Sequence, residues 1–224
     1  MGVRAHIGAI AFDLDGTLVD SAPDIAYALN AALVRAGLAR FDVDQVRGWV
    51  GDGPDVLIDR ALAALGHAGA TAAQRAELRR GFDQATLDAP LQHGTVCEGV
   101  PALVDALRNV LPMVVVTNKP TPLARAVLRA AGLLEAMAGV FGADQAEQRK
   151  PGPALLLGAA RHLGIAPARL LVVGDGAADL SAAQAAGCPC AHVGWGYGAA
   201  ALADGTTAWR IATPQALFER LYPA

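Results

Sequence analysis

The sequence is poor in several things, and each shortage removes a class of function. It holds only three cysteines, Cys97, Cys188 and Cys190. An odd, low number with one Cys-Pro-Cys pair gives no disulfide framework and no second pair to complete a zinc site, so they are read as small buried thiols. Aromatic residues are 5% of the chain, too few for a stacking surface that would read bases. The 18 basic and 21 acidic residues leave a formal charge of −3. The densest basic run, Arg75, Arg79 and Arg80, has the spacing of a solvated helix face, so no nucleic-acid partner is expected. The five histidines, His6, His67, His93, His162 and His192, show no metal-ligand spacing. Every apolar run is cut short by Gly, Pro or charge, which excludes a membrane span. The first residues enter a strand without an apolar leader or cleavage site, so a cytoplasmic location is expected.

Hydrophobic residues make up 54% of the 224, carried by Ala, Val and Leu, enough for a buried core. The apolar runs are short and end abruptly in polar residues. Residues 7–12 run into Asp13-Leu14-Asp15-Gly16-Thr17. Met113 to Val116 runs into Thr117-Asn118-Lys119-Pro120, and Leu170 to Val173 into Gly174-Asp175-Gly176. Runs apolar at every position predict strands covered on both faces, hence a parallel sheet. Residues 191–193 and 208–211 are weaker strand candidates. Helical spacing recurs at 102–110, 123–131, 154–163 and 179–186, with Gly132, Gly164 and Gly187 at the expected C-terminal ends. The order predicts an α/β class, a Rossmann-like doubly wound parallel sheet. Residues 20–90 carry no strand signal and read as helices at 23–36, 43–50, 54–65 and 72–87. They are expected to form an all-helical cap inserted into a catalytic core of residues 1–19 and 91–224.

Ligands of such sheets bind beyond the carboxyl ends of the strands. That edge is expected to gather Asp13, Asp15, Thr117, Asn118, Asp175 and Asp179, with Lys150 reaching it from a helix start. Clustered carboxylates need a cation, and an all-oxygen set suits Mg2+. The chemistry this points to is phosphoryl transfer: Asp13 as nucleophile, Asp15 as general acid and base, and Thr117, Asn118 and Lys150 on the phosphoryl oxygens. Lys119 is read as solvent-facing, Asn118 alternatively as a helix N-cap, and Asp20 and Asp24 as first-turn helix acids without a chemical role. The 195–198 loop is read as packing, with a contact to the cap as an option.

Four segments then resemble, in order, the motifs of the haloacid dehalogenase-like hydrolase superfamily: F-D-L-D-G-T-L-V-D-S from Phe12, V-V-V-T-N-K-P from Val114, R-K-P-G-P from Arg149 and G-D-G-A-A-D from Gly174. The resemblance implies a mobile helical cap and Mg2+ held by Asp13, the Asp15 carbonyl and Asp175, with Asp179 in support. D-G-T-L-V-D-S-A-P-D and W-V-G-D-G-P-D-V-L-I-D-R-A-L are similar to the phosphoglycolate phosphatase-like family. This implies a small phosphorylated metabolite as partner, a monomer or homodimer, and specificity set by Gly51, Asp52 and Gly53. Two departures stand out: Gly176 where serine is common, and Asp52 where asparagine is common, an extra carboxylate near an anionic substrate unless it points away. A sugar-phosphate phosphatase or an inorganic pyrophosphatase would use the same scaffold. A mutase is disfavoured by Ile25 where a histidine is expected, and a dehalogenase by the presence of Asp15. A receiver-like phospho-acceptor module is the non-enzymatic alternative.

Overall fold

The computed structural model describes residues 7–198 and 208–223. Strand β1 (Ala9–Phe12) is one of the two central strands of the sheet, and the strand that its apolar run predicts is buried throughout. A two-residue strand β2 (Val19–Asp20) follows, and four helices leave and return to the sheet: α1 (Ala22–Arg35), α2 (Val43–Arg47), α3 (Pro54–Ala64) and α4 (Ala72–Asp88). The chain re-enters through β3 (Thr95–Val96), which pairs antiparallel with β2. It then alternates: α5 (Val100–Leu107), β4 (Met113–Thr117), α6 (Thr121–Ala130), β5 (Gly139–Gly142), α7 (Ala154–His162), β6 (Leu170–Gly174), α8 (Ala177–Ala186), β7 (Cys190–Val193), β8 (Trp209–Ile211) and α9 (Pro214–Leu221).

The main sheet is parallel, in the order β5-β4-β1-β6-β7-β8. This is the dinucleotide-fold order 3-2-1-4-5-6, whose winding reverses between its first and fourth strands, here β1 and β6. Alternation along the strands assigns residues to the two faces. Ile10, Phe12, Met113, Val115, Leu171 and Val173 pack under α5, α6 and α9. Ala9, Ala11, Val114, Val116, Leu170 and Val172 pack under α7 and α8. The alanines of β1 on this second face meet Ala159, Ala160, Ala182 and Ala183, and small side chains on both sides bring helix and sheet close.

The helical insertion has its own apolar cluster, in which Leu29, Leu33, Ile58, Leu62, Leu78 and Phe82 are buried and Leu123 of α6 joins from the sheet side. Helix α4 begins with a capping box, Thr71 with Gln74, and α2 with the Asp42 carboxylate on the Gln45 N–H. Helix α2 is shorter than its apolar pattern suggests, ending at Arg47, and α5 begins two residues earlier, at Val100.

Strands β2, β3 and β5 have no counterpart in the sequence reading. The first two have two residues each, too short for any period, and β5 is Gly-Val-Phe-Gly, with partly exposed residues and no apolar run. Asp20 therefore lies in β2, not in a helix first turn. His6 lies outside the described residues.

Candidate active site

Asp13 follows the last residue of β1, and its N–H donates to the Val173 carbonyl of β6 at 2.8 Å. Asp175 follows the last residue of β6. The two acids thus flank the point where the winding of the sheet reverses. Carboxylate oxygens of Asp13, Asp175 and Asp179 lie within 4.8 Å of one another.

Lys150 enters this cluster almost fully buried. Its Nζ is 2.8 Å from Asp13 Oδ1 and 2.6 Å from Asp179 Oδ1, and it donates to the Val116 carbonyl at 3.1 Å. Burial alone would lower the Lys150 pKa, but the charges of Asp13 and Asp179 outweigh it and hold the ammonium protonated. Asp13 is pushed up to about 6, first by burial and then by Asp179 and Asp15, against the pull of Lys150. Asp13 Oδ1 has the Lys150 ammonium at 2.8 Å as its charged neighbour. Among the three clustered carboxylates of Asp13, Asp175 and Asp179 there is one ammonium, and it pairs with two of them, Asp13 and Asp179. The all-oxygen donor set of these three acids, with one ammonium among them, fits a hard divalent cation.

Asp175 is aimed by its neighbours. Thr17 donates to Oδ1 at 3.2 Å, while the backbone N–H groups of Tyr197 and Gly198 donate to Oδ2 at 2.6 and 3.1 Å. Burial and the charge of Asp13 raise its pKa, and these donors partly offset that. The packing leaves no room for side chains nearby. Gly16 has φ of +82°, and a Cβ there would sit 2.7 Å from Asp175 Oδ2; one on Gly196 would sit 2.3 Å from Asp175 Cβ. The loop that holds Asp175 also touches the insertion side. The Tyr197 hydroxyl donates to Asp20 at 2.7 Å and accepts the Ala22 N–H at 2.9 Å, while Arg47 of α2 lies over the ring. Burial and Asp20 hold the Tyr197 pKa far above its usual value. Gly176 N–H donates to Asp179 Oδ2 at 3.1 Å, so backbone meets that carboxylate where a serine is common.

Asp15 is met by two side chains, the Ser21 hydroxyl and the ammonium of Lys119, the latter at 2.5 Å. Lys119 is 6% exposed, not solvent-facing as its type suggests, because it is drawn in toward this carboxylate. Thr117 is buried at the tip of β4, and its Oγ1 accepts the Lys119 N–H at 3.2 Å. Asn118 is not a helix cap; the N-cap of α6 is Pro120. Its Oδ1 accepts the Lys150 N–H at 2.7 Å, and its Nδ2 donates to the carbonyls of Gly51 and Lys150 at 2.9 and 3.1 Å. The Asn118 amide thereby fixes the backbone that carries Lys150 and joins it to the insertion loop.

Asp13, Asp15, Thr117 and Asn118 line a small cavity of about 40 Å³, together with Gly51 and Gly53 of the insertion. A neighbouring opening is lined by Asp13, Asp15, Lys150, Asp175 and Asp179, with Gly51 and Asp52 on its far side. Asp52 is turned toward Arg60, with Nη2 at 2.5 Å, and the same guanidinium donates to the Trp49 carbonyl at 2.8 Å. The loop is also tied down by Asp55, which pairs with Arg79 of α4 and with Arg149, the neighbour of Lys150. Tyr197 lies in the 195–198 loop, for which the sequence leaves a contact to the insertion as an option, and meets Arg47 of α2; the residues that sequence reasoning missed are Lys119, Ser21 and Arg149. Only Lys119 carried a signal, by standing at a strand tip beside Thr117.

A doubly wound sheet with acids and one lysine gathered at its switch point has the arrangement of a metal-assisted group-transfer enzyme. A family model, haloacid dehalogenase-like hydrolase, matches residues 7–187, and the chain belongs to that family. A phosphoglycolate phosphatase of Chromobacterium violaceum is 41% identical over 193 residues, covering 86% of this chain and 87% of that one. One from Escherichia coli O157:H7 is 36% identical over 214 residues, covering 85% and 82%. A crystal structure from Haemophilus somnus, described as a predicted phosphoglycolate phosphatase, superposes with a TM-score of 0.86 at 28% identity over 96% of this chain and 97% of that one. Among the described residues, no helix is long and apolar enough to cross a membrane.

Proposed function

We propose that this protein is a magnesium-dependent phosphate monoester hydrolase that works through an aspartyl-phosphate on Asp13, with 2-phosphoglycolate as its substrate. The observation that carries this reading is the Asp13 carboxylate itself. It stands at the switch point, 2.8 Å from a buried lysine ammonium and clustered with two further acids. Family membership and the relatives' names support the reading.

Mg2+, held by Asp13, the Asp15 carbonyl and Asp175 with Asp179 beside them, would supply positive charge against the phosphoryl oxygens when bound. Lys150 neutralises charge on the same oxygens, Thr117 turns its hydroxyl hydrogen toward them, and Asn118 contributes its backbone N–H. One oxygen of Asp13 attacks phosphorus as the bond to the ester oxygen breaks. Asp15 gives its proton to the departing oxygen, which leaves as the alcohol. Asp15, now a carboxylate, takes a proton from the water that attacks the phospho-aspartate. Inorganic phosphate leaves and the Asp13 carboxylate is restored. The core is assigned to residues 1–19 and 91–224 and the cap to residues 20–90, with Gly51, Asp52 and Gly53 closing over the substrate. The reading carries a cytoplasmic location and a monomer or homodimer.

The test is hydrolysis of 2-phosphoglycolate and para-nitrophenyl phosphate by the wild type and Asp13→Asn, each with Mg2+ and with EDTA. Turnover is expected only for the wild type with Mg2+. Activity of the variant, or full rate in EDTA, overturns the reading.

A further inference from the structure

We propose that Lys119 selects the substrate by its tail, its buried ammonium binding a carboxylate carried one carbon from the ester oxygen. The inference rests on the phosphatase reading above and adds to it the residue that distinguishes an anionic tail from a neutral one.

A lysine side chain 5% exposed is uncommon, because removing an ammonium from water costs several kcal/mol unless anions meet it. The ammonium has three N–H groups. Among the described residues one carboxylate, Asp15, receives it. Its main-chain N–H is fixed on Thr117, so Lys119 is anchored at the strand tip beside the reacting group.

Among the described residues, Lys119 is also the only cationic side chain lining the cavity beside Asp15. The facing wall is apolar, built by Ile25, Trp49, Val50, Leu57 and Phe82. Lys150 does not line this cavity; it lies among Asp13 and Asp179 at the phosphoryl end. An anionic tail entering this space therefore has one cation to meet. The apolar wall raises the worth of that single ion pair by excluding water.

Two measurements test this. In the wild type, 3-phosphonopropionate, a non-hydrolysable analogue with the carboxylate, should inhibit about 100-fold more tightly than propylphosphonate, which has a methyl group there. In Lys119→Met, the ratio of kcat/KM for 2-phosphoglycolate to that for ethyl phosphate should fall about 100-fold, whatever rate both esters lose together, and Lys119→Arg should restore part of it. Equal inhibition by the two phosphonates overturns the proposal without any variant. So does a common loss on both esters with an unchanged ratio, which would make Lys119 a positioning residue for Asp15 alone. If the wild type hydrolyses no small ester with Mg2+, the phosphatase reading itself fails. If it hydrolyses both esters equally well, that reading stands and only the tail-binding assignment falls.

Discussion

The carboxylate of Asp24 accepts the backbone N–H of His93 at 2.8 Å, joining the first turn of α1 to the segment that returns from the insertion. The same carboxylate takes the N–H groups of Gln92 and Gly94 at 2.7 and 2.8 Å. Asp24 is buried, and the ring of Tyr27 lies 4.6 Å from that of His93 on the same crossing. Asp24 is thus both a first-turn acid and the clasp between the two connections to the helical insertion.

Replacing Asp24 by Ala leaves three backbone donors without their acceptor. Water reaches part of this segment, so the loss should be about 2 kcal/mol, not the sum of three buried groups. Urea unfolding should show it as a lower midpoint with an unchanged slope. A variant as stable as the wild type would mean that the three donors find other partners.

Lys150→Met removes the cation shared by Asp13 and Asp179. Breaking a buried pair by deleting one partner costs about 3–5 kcal/mol, and here two carboxylates are left facing each other. Mg2+ should recover part of that stability, while turnover should fall at least about 100-fold. Thermal unfolding with and without Mg2+ checks the first statement. A variant that unfolds at the same temperature in both conditions contradicts it.

Asp13, raised to about 6 chiefly by burial, gives metal binding a pH dependence. Below that value the folded protein holds a proton where the cation would bind, so apparent affinity should weaken roughly tenfold per pH unit. In the metal-free protein the sign for stability follows from the same shift. A raised carboxyl binds more protons folded than unfolded, so stability falls as pH rises from the usual carboxylate range toward about 6. The thermal shift produced by Mg2+ should be larger near pH 7.5 than near pH 5. Equal shifts would remove Asp13 from the competition.

Asp52 and Arg60 make opposite demands on the insertion loop. Asp52 is partly exposed and already neutralised by Arg60, so Asp52→Asn should change stability by under about 1 kcal/mol and leave KM near that of the wild type. Arg60→Ala also frees the Trp49 carbonyl. One lost hydrogen bond of about 1 kcal/mol corresponds to roughly a fivefold rise in KM if Trp49 shapes the cavity. Steady-state kinetics on 2-phosphoglycolate separates the two. A large fall in KM for Asp52→Asn would place that carboxylate against the substrate instead.

Legibility in the sequence followed the length of the signal. The buried strands β1, β4 and β6 are apolar at nearly every position, and a polar residue stands at or just after the end of each, carried to one edge by the parallel order. Hence Asp13, Thr117 and Asp175 could be picked out before any coordinate. The two-residue strands at the base of the insertion have no period to detect, and β5 is bounded by glycines, so these were silent.

The sequence by itself determined the class of sheet, the four helices between residues 22 and 88 and the acids at the strand tips, because burial on both faces and helical spacing are local patterns. Only the tertiary structure decided that Lys119 turns inward, that Asn118 spends its amide on Lys150 and Gly51, and that Asp52 is neutralised by Arg60. Each of these depends on which charge or carbonyl another segment brings within about 3 Å, a range at which electrostatic and hydrogen-bond energies dominate a polar side chain's direction.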